Sequence, residues 1–315
     1  MTEPTAPRAV CPAGGASRTS SEMLALRLPQ DTVDRLRVQA RHGAAVLGVV
    51  ADGTDCVWGW QGTSVSMPVL DTGGAQRWMK LRSRPAADPV PALWSGVATA
   101  EQVMAGLPVL RPVLLAQQAW TCDGFAYQAE LTTRMPVRSI SLNRAAPQWM
   151  ADLPAAWWAD LRAALDSLQE VAPAAVLRRV AWQETAARSM GAVHPAPWVP
   201  SHGDMCPANL GVAGATAVLF DWEYIGLGPR FVDAATLLLS SLDTPDVTDC
   251  IWSHFGDQLA TPEGIYAQSV VAAHFAGRFR AGEHVDLAPA LRAHMRTLEE
   301  RTDDRHGGAA RCTPC

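Results

Sequence analysis

The stretch Ser201–Glu223, with the sequence SHGDMCPANLGVAGATAVLFDWE, constrains the fold of this chain more than any other part. A His-Gly-Asp motif ends at Asp204, and Asn209 follows five residues later. Two short apolar runs then flank Gly214, a pattern that predicts a tight hairpin. Because a hairpin returns the chain to its start, it would carry Asp221, twelve residues after Asn209, back beside Asn209 and close to Asp204.

Oxygen-bearing side chains grouped in this way meet the needs of phosphoryl transfer from a nucleotide. One carboxylate orients the attacking hydroxyl and takes its proton, while an amide oxygen and a second carboxylate hold the magnesium that bridges the phosphates. In the H-R-D-x-x-x-x-N catalytic loop of kinases, Asp and Asn stand five apart and a metal-binding Asp follows. Here Gly203 replaces the Arg, and Asp-Trp-Glu stands where Asp-Phe-Gly would. The alternative is a polar loop whose Asp and Asn only make hydrogen bonds within turns.

The string H-G-D-x-x-x-x-N followed by D-x-[D/E] resembles the aminoglycoside phosphotransferase and choline kinase family, a small-molecule branch of the kinase-like fold. The resemblance implies an α+β, bilobal protein-kinase-like fold, with a small antiparallel β N-lobe that carries one helix and a larger, mainly helical C-lobe. It also implies ATP or GTP as the phosphoryl donor and Mg²⁺ as a cofactor. The acceptor would be a hydroxyl of a small molecule, such as an antibiotic or an amino alcohol.

Mapped onto this chain, the resemblance assigns roles to four residues of the central stretch. Asp204 would be the catalytic base. Asn209 and Asp221 would bind the metal and, through it, the nucleotide. Glu223 stands where the family usually has Asp, and its longer side chain would either reach the metal through water or only structure the turn.

Two other residues of the motif are expected to hold the loop rather than to react. His202 is expected to be structural and to hydrogen-bond the backbone near Asp221. Gly203 would permit close packing of the loop, since glycine carries no side chain.

Lys80 is the only lysine among the 26 basic residues of the chain, and it lies in a predicted strand, Gln76–Leu81. A lysine ammonium is a compact charge on a flexible stem, which suits a group that must reach phosphates from a strand. Lys80 also holds the place of the β3 lysine of a kinase-like lobe, so the resemblance implies that it contacts the nucleotide. The alternative is a surviving surface lysine without a role.

A carboxylate partner for Lys80 is expected on a helix that follows it. Glu101 is the only acid between residues 89 and 122, and it lies in a predicted helix, 92–107, with a capping pattern that begins at Thr99. Glu101 is therefore the candidate for a Lys–Glu ion pair. The alternative is an exposed first-turn acid that the helix dipole favours.

The turn Gly59–Ser64 precedes Lys80, where a kinase glycine loop would cover the phosphates. This position makes Ser64 a candidate nucleotide contact. A hairpin with glycine is commonplace, however, and this one lacks the Asn commonly seen after the Ser in the family. The phosphate role of the turn therefore depends on its place before Lys80.

The order of patterns along the chain predicts two lobes between two tails. Short β-rich segments precede residue 133 and helical patterns follow it, with the boundary near Pro136, which ends regular strand pairing. We expect the following division: a disordered N-terminal tail over 1–22, a nucleotide-binding N-lobe over 23–133, a catalytic and acceptor-binding C-lobe over 134–305, and a disordered C-terminal tail over 306–315.

Hydrophobic periodicity and turn residues place the elements within the lobes. In the N-lobe, the patterns predict an entry helix over about 24–41 and strands over 46–50, 56–60, 64–70, 76–81, 109–119 and 125–133. In the C-lobe, they predict a turn at 225–229 and helices over about 154–171, 174–190, 231–242, 247–259, 262–281 and 287–301.

Composition excludes several partners and locations. The net charge is −5 with no basic run, so there is no electrostatic reason to expect nucleic acid or an acidic membrane surface as a partner. No apolar run is long enough to cross a bilayer, and the first residues lack an apolar signal core. The seven scattered cysteines are interpreted as reduced thiols, which predicts a cytoplasmic location. Cys312 and Cys315 have C-x-x-C spacing, but their place at the chain end favours a tail over a metal or redox site.

Rival functions leave different signatures. A serine hydrolase of the G-x-S-x-G type and a P-loop NTPase are disfavoured because neither motif occurs in the chain. A kinase that phosphorylates Ser or Thr of a biosynthetic precursor peptide would use the same residues with a more open groove. A catalytically dead binding module would normally have lost some of them. The identity of the acceptor and the oligomeric state stay open at the level of sequence.

Overall fold

The computed structural model describes most of the chain, with side chains to residue 300, over the ranges 28–53, 56–59, 62–137, 139–142, 144–172, 178–190, 197–283 and 285–309. It divides into two compact units. The first extends to residue 85 and includes 118–129, and the second comprises 86–117 and the chain from 130. Residues 86–117 thus belong to the second unit, and the lobe boundary at residue 133 stays a prediction.

The first unit consists of a helix on a sheet. Helix α1, Gln30–Val46, follows Pro29 and packs on three strands, with buried residues such as Val33 and Leu36. The sheet has the order β1-β3-β4-β6-β5, with β2 paired to β3. Its strands are β1 Val50–Ala51, β2 Val57–Trp58, β3 Ser64–Leu70, β4 Gln76–Pro85, β5 Leu114–Cys122 and β6 Phe125–Thr133. Strands β5 and β6 contribute residues to both units.

Two predicted elements of the N-terminal half are corrected. The strand predicted over 46–50 is wrong, since α1 continues to Val46 and only Val50 is extended in a strand. The strand predicted from Val109 begins at Leu114 instead. Residues before it leave the sheet, because the Leu110 carbonyl accepts a hydrogen bond from the Leu219 N–H at 2.9 Å.

The second unit is mainly helical and carries two small two-stranded sheets, β7 with β10 and β8 with β9. The strands are β7 Trp198–Ser201, β8 Leu210–Ala213, β9 Thr216–Leu219 and β10 Gly226–Pro229. The helices are α2 Gly96–Val103, α3 Ala155–Gln169, α4 Ala181–Ser189, α5 Val232–Ser240, α6 Pro245–Leu259, α7 Pro262–Arg280 and α8 Ala288–Ala309.

One large apolar core supports this unit. The helix predicted over about 154–171 is α3, whose buried residues include Trp157, Trp158 and Leu161, and α5 is buried on every side. The Trp157 indole N–H also donates to the Gly211 carbonyl at 3.1 Å, which ties the core to strand β8. The stretch Ser201–Glu223 is therefore joined directly to this core.

Local signals misplaced two features here. The capping pattern at Thr99 is wrong, since α2 begins at Gly96 and the Thr99 hydroxyl donates to the Ser95 carbonyl inside the helical region. The turn predicted at 225–229 is a strand, in which Gly226 pairs with Ser201. Its glycines serve close packing instead, because a Cβ on Gly226 would overlap the backbone of a neighbouring segment.

The ends of two further elements differ from expectation. The helix predicted from 174 begins at Ala181, since Arg179 is held extended by a bridge to Leu227, and residues 173–177 lie outside the described residues. Residues 306–309, predicted as tail, extend α8, because each added helical residue adds a backbone hydrogen bond. The expected tail over 1–22 and residues 310–315 lie outside the described residues.

Two expectations on membranes and thiols concern the described residues alone. Among these, no helix is both long and apolar enough to cross a membrane. The cysteines within the described ranges, Cys56, Cys122, Cys206 and Cys250, are not in disulfides. Cys312 and Cys315 lie outside them.

Candidate active site

The predicted hairpin is confirmed and brings the two candidate metal ligands together. Strands β8 and β9 pair in register, with Leu210 opposite Leu219. One residue beyond this pair, the Phe220 N–H donates to the Asn209 carbonyl at 2.9 Å. Asp221 is the next residue, so the backbone brings it beside Asn209 as the spacing predicted.

His202 holds the loop, as predicted, and is fully buried. Its Nε2 lies 2.7 Å from the Phe220 carbonyl oxygen, which can only accept, so Nε2 carries the proton. Its Nδ1 then accepts from the Asp204 N–H at 3.3 Å. One imidazole thereby links the loop before Asp204 to the end of β9.

Asp233, near the start of α5, anchors the same loop through its backbone N–H groups. Its two carboxylate oxygens accept hydrogen bonds from the backbone N–H groups of His202 and Gly203 at 2.8 and 3.0 Å. Burial raises the pKa of Asp233, against the lowering influence of His202 and the two N–H groups. Sequence reasoning missed this anchor. The available signal was a single acid at the start of an otherwise apolar helix.

Gly203 is required by its geometry, which confirms the expectation of close packing. Its φ of 85° lies in the left-handed region that favours glycine, and a Cβ there would overlap the Tyr224 carbonyl oxygen. The Gly203 carbonyl accepts from the Trp182 indole N–H on α4 at 2.9 Å. The turn before Asp204 is therefore fixed from two sides.

Asp204 carries the predicted catalytic carboxylate, and both of its oxygens are engaged. Oδ1 lies 2.6 Å from Nη1 of Arg144, and Oδ2 accepts from Nδ2 of Asn209 at 3.3 Å. Arg144 was not identified from the sequence. Burial tends to lower the pKa of Arg144, but the Asp204 carboxylate, together with Cys206 and Tyr224, outweighs burial and raises that pKa above its ordinary value.

The orientation of Asn209 suits a metal ligand. Its Nδ2 also donates to the Asp204 carbonyl at 2.8 Å, so Oδ1 is the atom that the side chain offers to a cation. Asp221, two residues beyond the end of β9, has a left-handed backbone conformation with φ 57° and ψ 63°. Non-glycine residues held in this region cluster at functional sites, where the surroundings impose the strain.

The donor set fits a cation that a nucleotide shares. Among the described residues, no group of three or more His, Cys, Asp or Glu side chains could hold a metal alone. Magnesium is usually bound by one or two carboxylates together with substrate phosphates. The amide oxygen of Asn209 and the carboxylate of Asp221 match that pattern, with the phosphates supplying the remaining ligands.

Three acids of the stretch converge on Tyr224. Burial, followed by the carboxylates of Glu223, Asp204 and Asp221, raises the pKa of Tyr224 to about 12, and only Arg278 opposes them. The structure therefore brings the predicted base, the predicted metal carboxylate and Glu223 into one electrostatic environment. The Glu223 backbone also packs tightly on α2, where a Cβ on Gly96 would overlap its carbonyl.

The remaining predicted site residues are divided between the units. Lys80 lies in β4 opposite Ser66, and Ser64 is buried at the start of β3, both in the first unit. Glu101 belongs to the second unit. Their roles at a nucleotide stay predictions.

Glu101 has a cationic partner within its own unit. Nη1 and Nη2 of Arg111 lie 2.5 and 2.9 Å from its two oxygens, and the Leu114 N–H donates to it at 2.7 Å. Burial acts to raise the pKa of Glu101, but Arg111 and the Leu114 N–H outweigh it and hold the pKa below its ordinary value. A structural role is thus established for Glu101, and the ion pair with Lys80 stays a prediction.

Comparison with known proteins places these observations in a family context. Residues 134–261 match the model of the APH family, described as the phosphotransferase enzyme family. No curated protein matches the chain. The matched residues include the whole catalytic stretch and Arg144, but not Lys80 or Glu101.

Several solved structures share the fold at low sequence identity. Amicoumacin kinase hAmiN, in complex with AMP-PNP, Ca²⁺ and Ami, has a TM-score of 0.57 and 14% identity, covering 87% of this chain and 97% of that one. A thermostable mutant of aminoglycoside phosphotransferase APH(4)-Ia, in a ternary complex with AMP-PNP and hygromycin B, has a TM-score of 0.55 and 10% identity, covering 80% and 94%. A choline/ethanolamine kinase family protein from Mesorhizobium loti has a TM-score of 0.53 and 14% identity, covering 84% and 94%.

These matches confirm two expectations. The resemblance of the chain to the aminoglycoside phosphotransferase and choline kinase family is confirmed by the family model and by these neighbours. The α+β, protein-kinase-like fold is confirmed as well.

Proposed function

We propose that this chain is a phosphotransferase that moves the γ-phosphoryl group of ATP or GTP to a hydroxyl of a small molecule, with Mg²⁺ as cofactor. The observation that carries the proposal is the hairpin that sets Asp221 beside Asn209, with Asn209 bonded in turn to Asp204. A base, an amide oxygen and a second carboxylate in this order are the groups that phosphoryl transfer requires.

Each residue then has a stated task. Asp204 orients the acceptor hydroxyl and takes its proton as the hydroxyl oxygen bonds to the γ-phosphorus and the bond to the β-phosphate oxygen breaks. Asn209 Oδ1 and the Asp221 carboxylate would hold Mg²⁺, which would offset charge on the phosphates. Lys80 is proposed to contact the phosphates, and Ser64 to lie in the loop that covers them. Glu223 is proposed to act on the metal through water.

The solved neighbours support a nucleotide donor and a small-molecule acceptor. The amicoumacin kinase structure contains AMP-PNP, and that of APH(4)-Ia contains AMP-PNP with hygromycin B. The intact set of Asp204, Asn209 and Asp221 favours an enzyme over a catalytically dead binding module, which would be expected to have lost part of it.

The test is a screen for nucleotide-dependent transfer. The full chain is incubated with ATP or GTP, Mg²⁺ and a panel of antibiotics, amino alcohols, hydroxy acids and Ser/Thr peptides. Release of nucleoside diphosphate and mass spectrometry of each acceptor identify the phosphorylated product. We expect a phosphorylated small molecule with the wild type and a large loss with Asp204→Asn. A product formed only from peptides would replace the small-molecule assignment, and nucleotide binding without transfer to any acceptor would favour the binding module.

A further inference from the structure

Arg144 is the one group from a distant part of the chain that the described structure places directly on the proposed base. It precedes Asp204 by 60 residues, and its Nη1 lies 2.6 Å from Oδ1 of that carboxylate. With Oδ2 accepting from Asn209, both oxygens of Asp204 are engaged. An acceptor hydroxyl that is to hydrogen-bond Oδ1 therefore competes with the guanidinium for that oxygen.

The guanidinium is incompletely satisfied where it lies. Its Nε is buried and makes no hydrogen bond. A buried donor without a partner is costly, and a charged one more so. The guanidinium lies over the Phe275 ring on α7, 5.7 Å from the ring centroid. This cation–π contact stabilises the positive charge but uses none of the N–H donors of Arg144. Arg144 would thus gain hydrogen bonds from an additional or alternative acceptor oxygen.

Of the described charged groups near Asp204, Arg144 is the one that lies against Oδ1. Arg278, which also faces Tyr224, forms an ion pair with Glu283 just beyond the end of α7. Asp221 belongs to the proposed metal side. The charged group that meets a molecule approaching Oδ1 of Asp204 is consequently the Arg144 guanidinium.

We propose that Arg144 recognises the acceptor, and that the acceptor carries a carboxylate or phosphate group next to its reacting hydroxyl. This inference rests on the proposed function. An anionic group of this kind offers the planar guanidinium two parallel hydrogen bonds, including one to Nε. Transfer of Arg144 from Asp204 to this group leaves Oδ1 open to the hydroxyl, so that binding of the correct acceptor completes the site.

A cationic acceptor fits this arrangement poorly. An ammonium group next to the hydroxyl would be brought beside the guanidinium, and like charges at close range repel. It would also offer no acceptor oxygen to replace Asp204. A neutral alcohol would avoid repulsion but would leave the ion pair in place.

The experiment compares small hydroxyl compounds that are anionic, neutral or cationic. Glycerate and glycerol 3-phosphate are the anionic probes, glycerol is neutral, and ethanolamine is cationic. Binding to the full chain is measured by calorimetry or tryptophan fluorescence without nucleotide, and transfer is measured separately with ATP and Mg²⁺. The variants are Arg144→Gln, Arg144→Lys and the control Arg188→Gln, which alters an exposed arginine of α4 paired only locally with Glu184.

We expect wild type to bind at least one anionic probe more tightly than glycerol, and Arg144→Gln to lose about 10- to 100-fold of that affinity, as for hydrogen bonds to charged groups. Arg144→Lys should retain part of it and Arg188→Gln all of it. The relative strength of the two anionic probes distinguishes a carboxylate from a phosphate.

Three results would overturn the inference. One is failure of both anionic probes to bind the wild type, and another is a preference for ethanolamine. The third is a loss in Arg144→Gln that is equal for all probes, which would show that Arg144 only positions Asp204. Anion binding that depends on Arg144, without transfer from ATP to any acceptor, would instead contradict the proposed function and leave the recognition site standing.

Discussion

The two sides of the loop at Asp204 are built differently. On the metal side, a short hairpin joins Asn209 to Asp221, and its contacts connect residues close in the chain. On the acceptor side, Arg144 comes from 60 residues away and Trp182 reaches Gly203 from 21 residues away. The metal side is thus encoded within one stretch, whereas the acceptor side is assembled from separate segments.

The difference separates shared chemistry from specificity. A short hairpin can hold Asn209 and Asp221 together through local contacts alone. Residues such as Arg144 can change without disturbing that hairpin. We expect substitutions on the metal side to affect every acceptor alike, and those at Arg144 to affect acceptors selectively.

The largest effect is expected at Asp204, where the two sides meet. Asp204→Asn removes proton acceptance while keeping the shape of the side chain, so turnover should fall by about 100- to 10,000-fold. The fold and nucleotide affinity should persist. The measurement is kcat with the acceptor identified by the screen, beside a thermal melt. An unchanged kcat would remove Asp204 from the chemistry.

A smaller effect is expected at Lys80, which tests whether the first unit contributes to the same chemistry. Lys80→Arg keeps the charge but replaces a compact ammonium with a wide fork, and misplacement by about an ångström can cost on the order of 100-fold. The readout is kcat/KM for ATP. A matched control is Arg77→Lys on the same strand, whose partner Asp71 lies in the turn between β3 and β4. Equal activity of Lys80→Arg and wild type would make the single lysine an accident of composition.

Gly203→Ala tests whether the backbone turn before Asp204 is needed for activity. A left-handed conformation costs a non-glycine residue roughly 1–3 kcal/mol, and the added Cβ would also collide with the Tyr224 carbonyl. We expect lower stability and a loss of activity. Gly214→Ala is the control, since its φ is 63° but nothing lies near the added Cβ, so it should lose stability and keep activity. Chemical denaturation and kcat distinguish the two, and equal activity in both variants would contradict a special role for the Gly203 turn.

The smallest effect concerns Glu101, whose side chain is 26% exposed. Glu101→Gln weakens the bonds to Arg111 and Leu114 and should cost about 1–2 kcal/mol of unfolding free energy at neutral pH. Because the folded chain lowers the pKa of Glu101 below its ordinary 4.5, this stabilisation is present above that pH and is lost as pH falls through the lower folded pKa. The measurement is the free energy of unfolding of wild type and Glu101→Gln in denaturant, from pH 7 to pH 3. A difference between variant and wild type that persists at pH 3 would contradict the ionic origin.

Spacing within a single stretch predicted the hairpin, the place of Asp221 and the roles of His202 and Gly203, because these contacts are local. Arg144 and Asp233 could not be found in that way, since each acts through a partner 30 or more residues away and neither belongs to a motif. The glycines at 226 and 228 were misread for a related reason. Glycine marks turns and close approaches alike, and only the neighbouring segments decide between the two.

The central claim is that Asn209 and Asp221 hold a cation for the nucleotide, and calorimetric titration of ATP tests it without knowledge of the acceptor. Wild type, Asp221→Asn and Asn209→Ala are each titrated with and without Mg²⁺. The account predicts that magnesium strengthens ATP binding to the wild type, and that both variants lose affinity mainly when magnesium is present. Equal losses with and without magnesium would show that these two residues only support the fold, and would contradict the account.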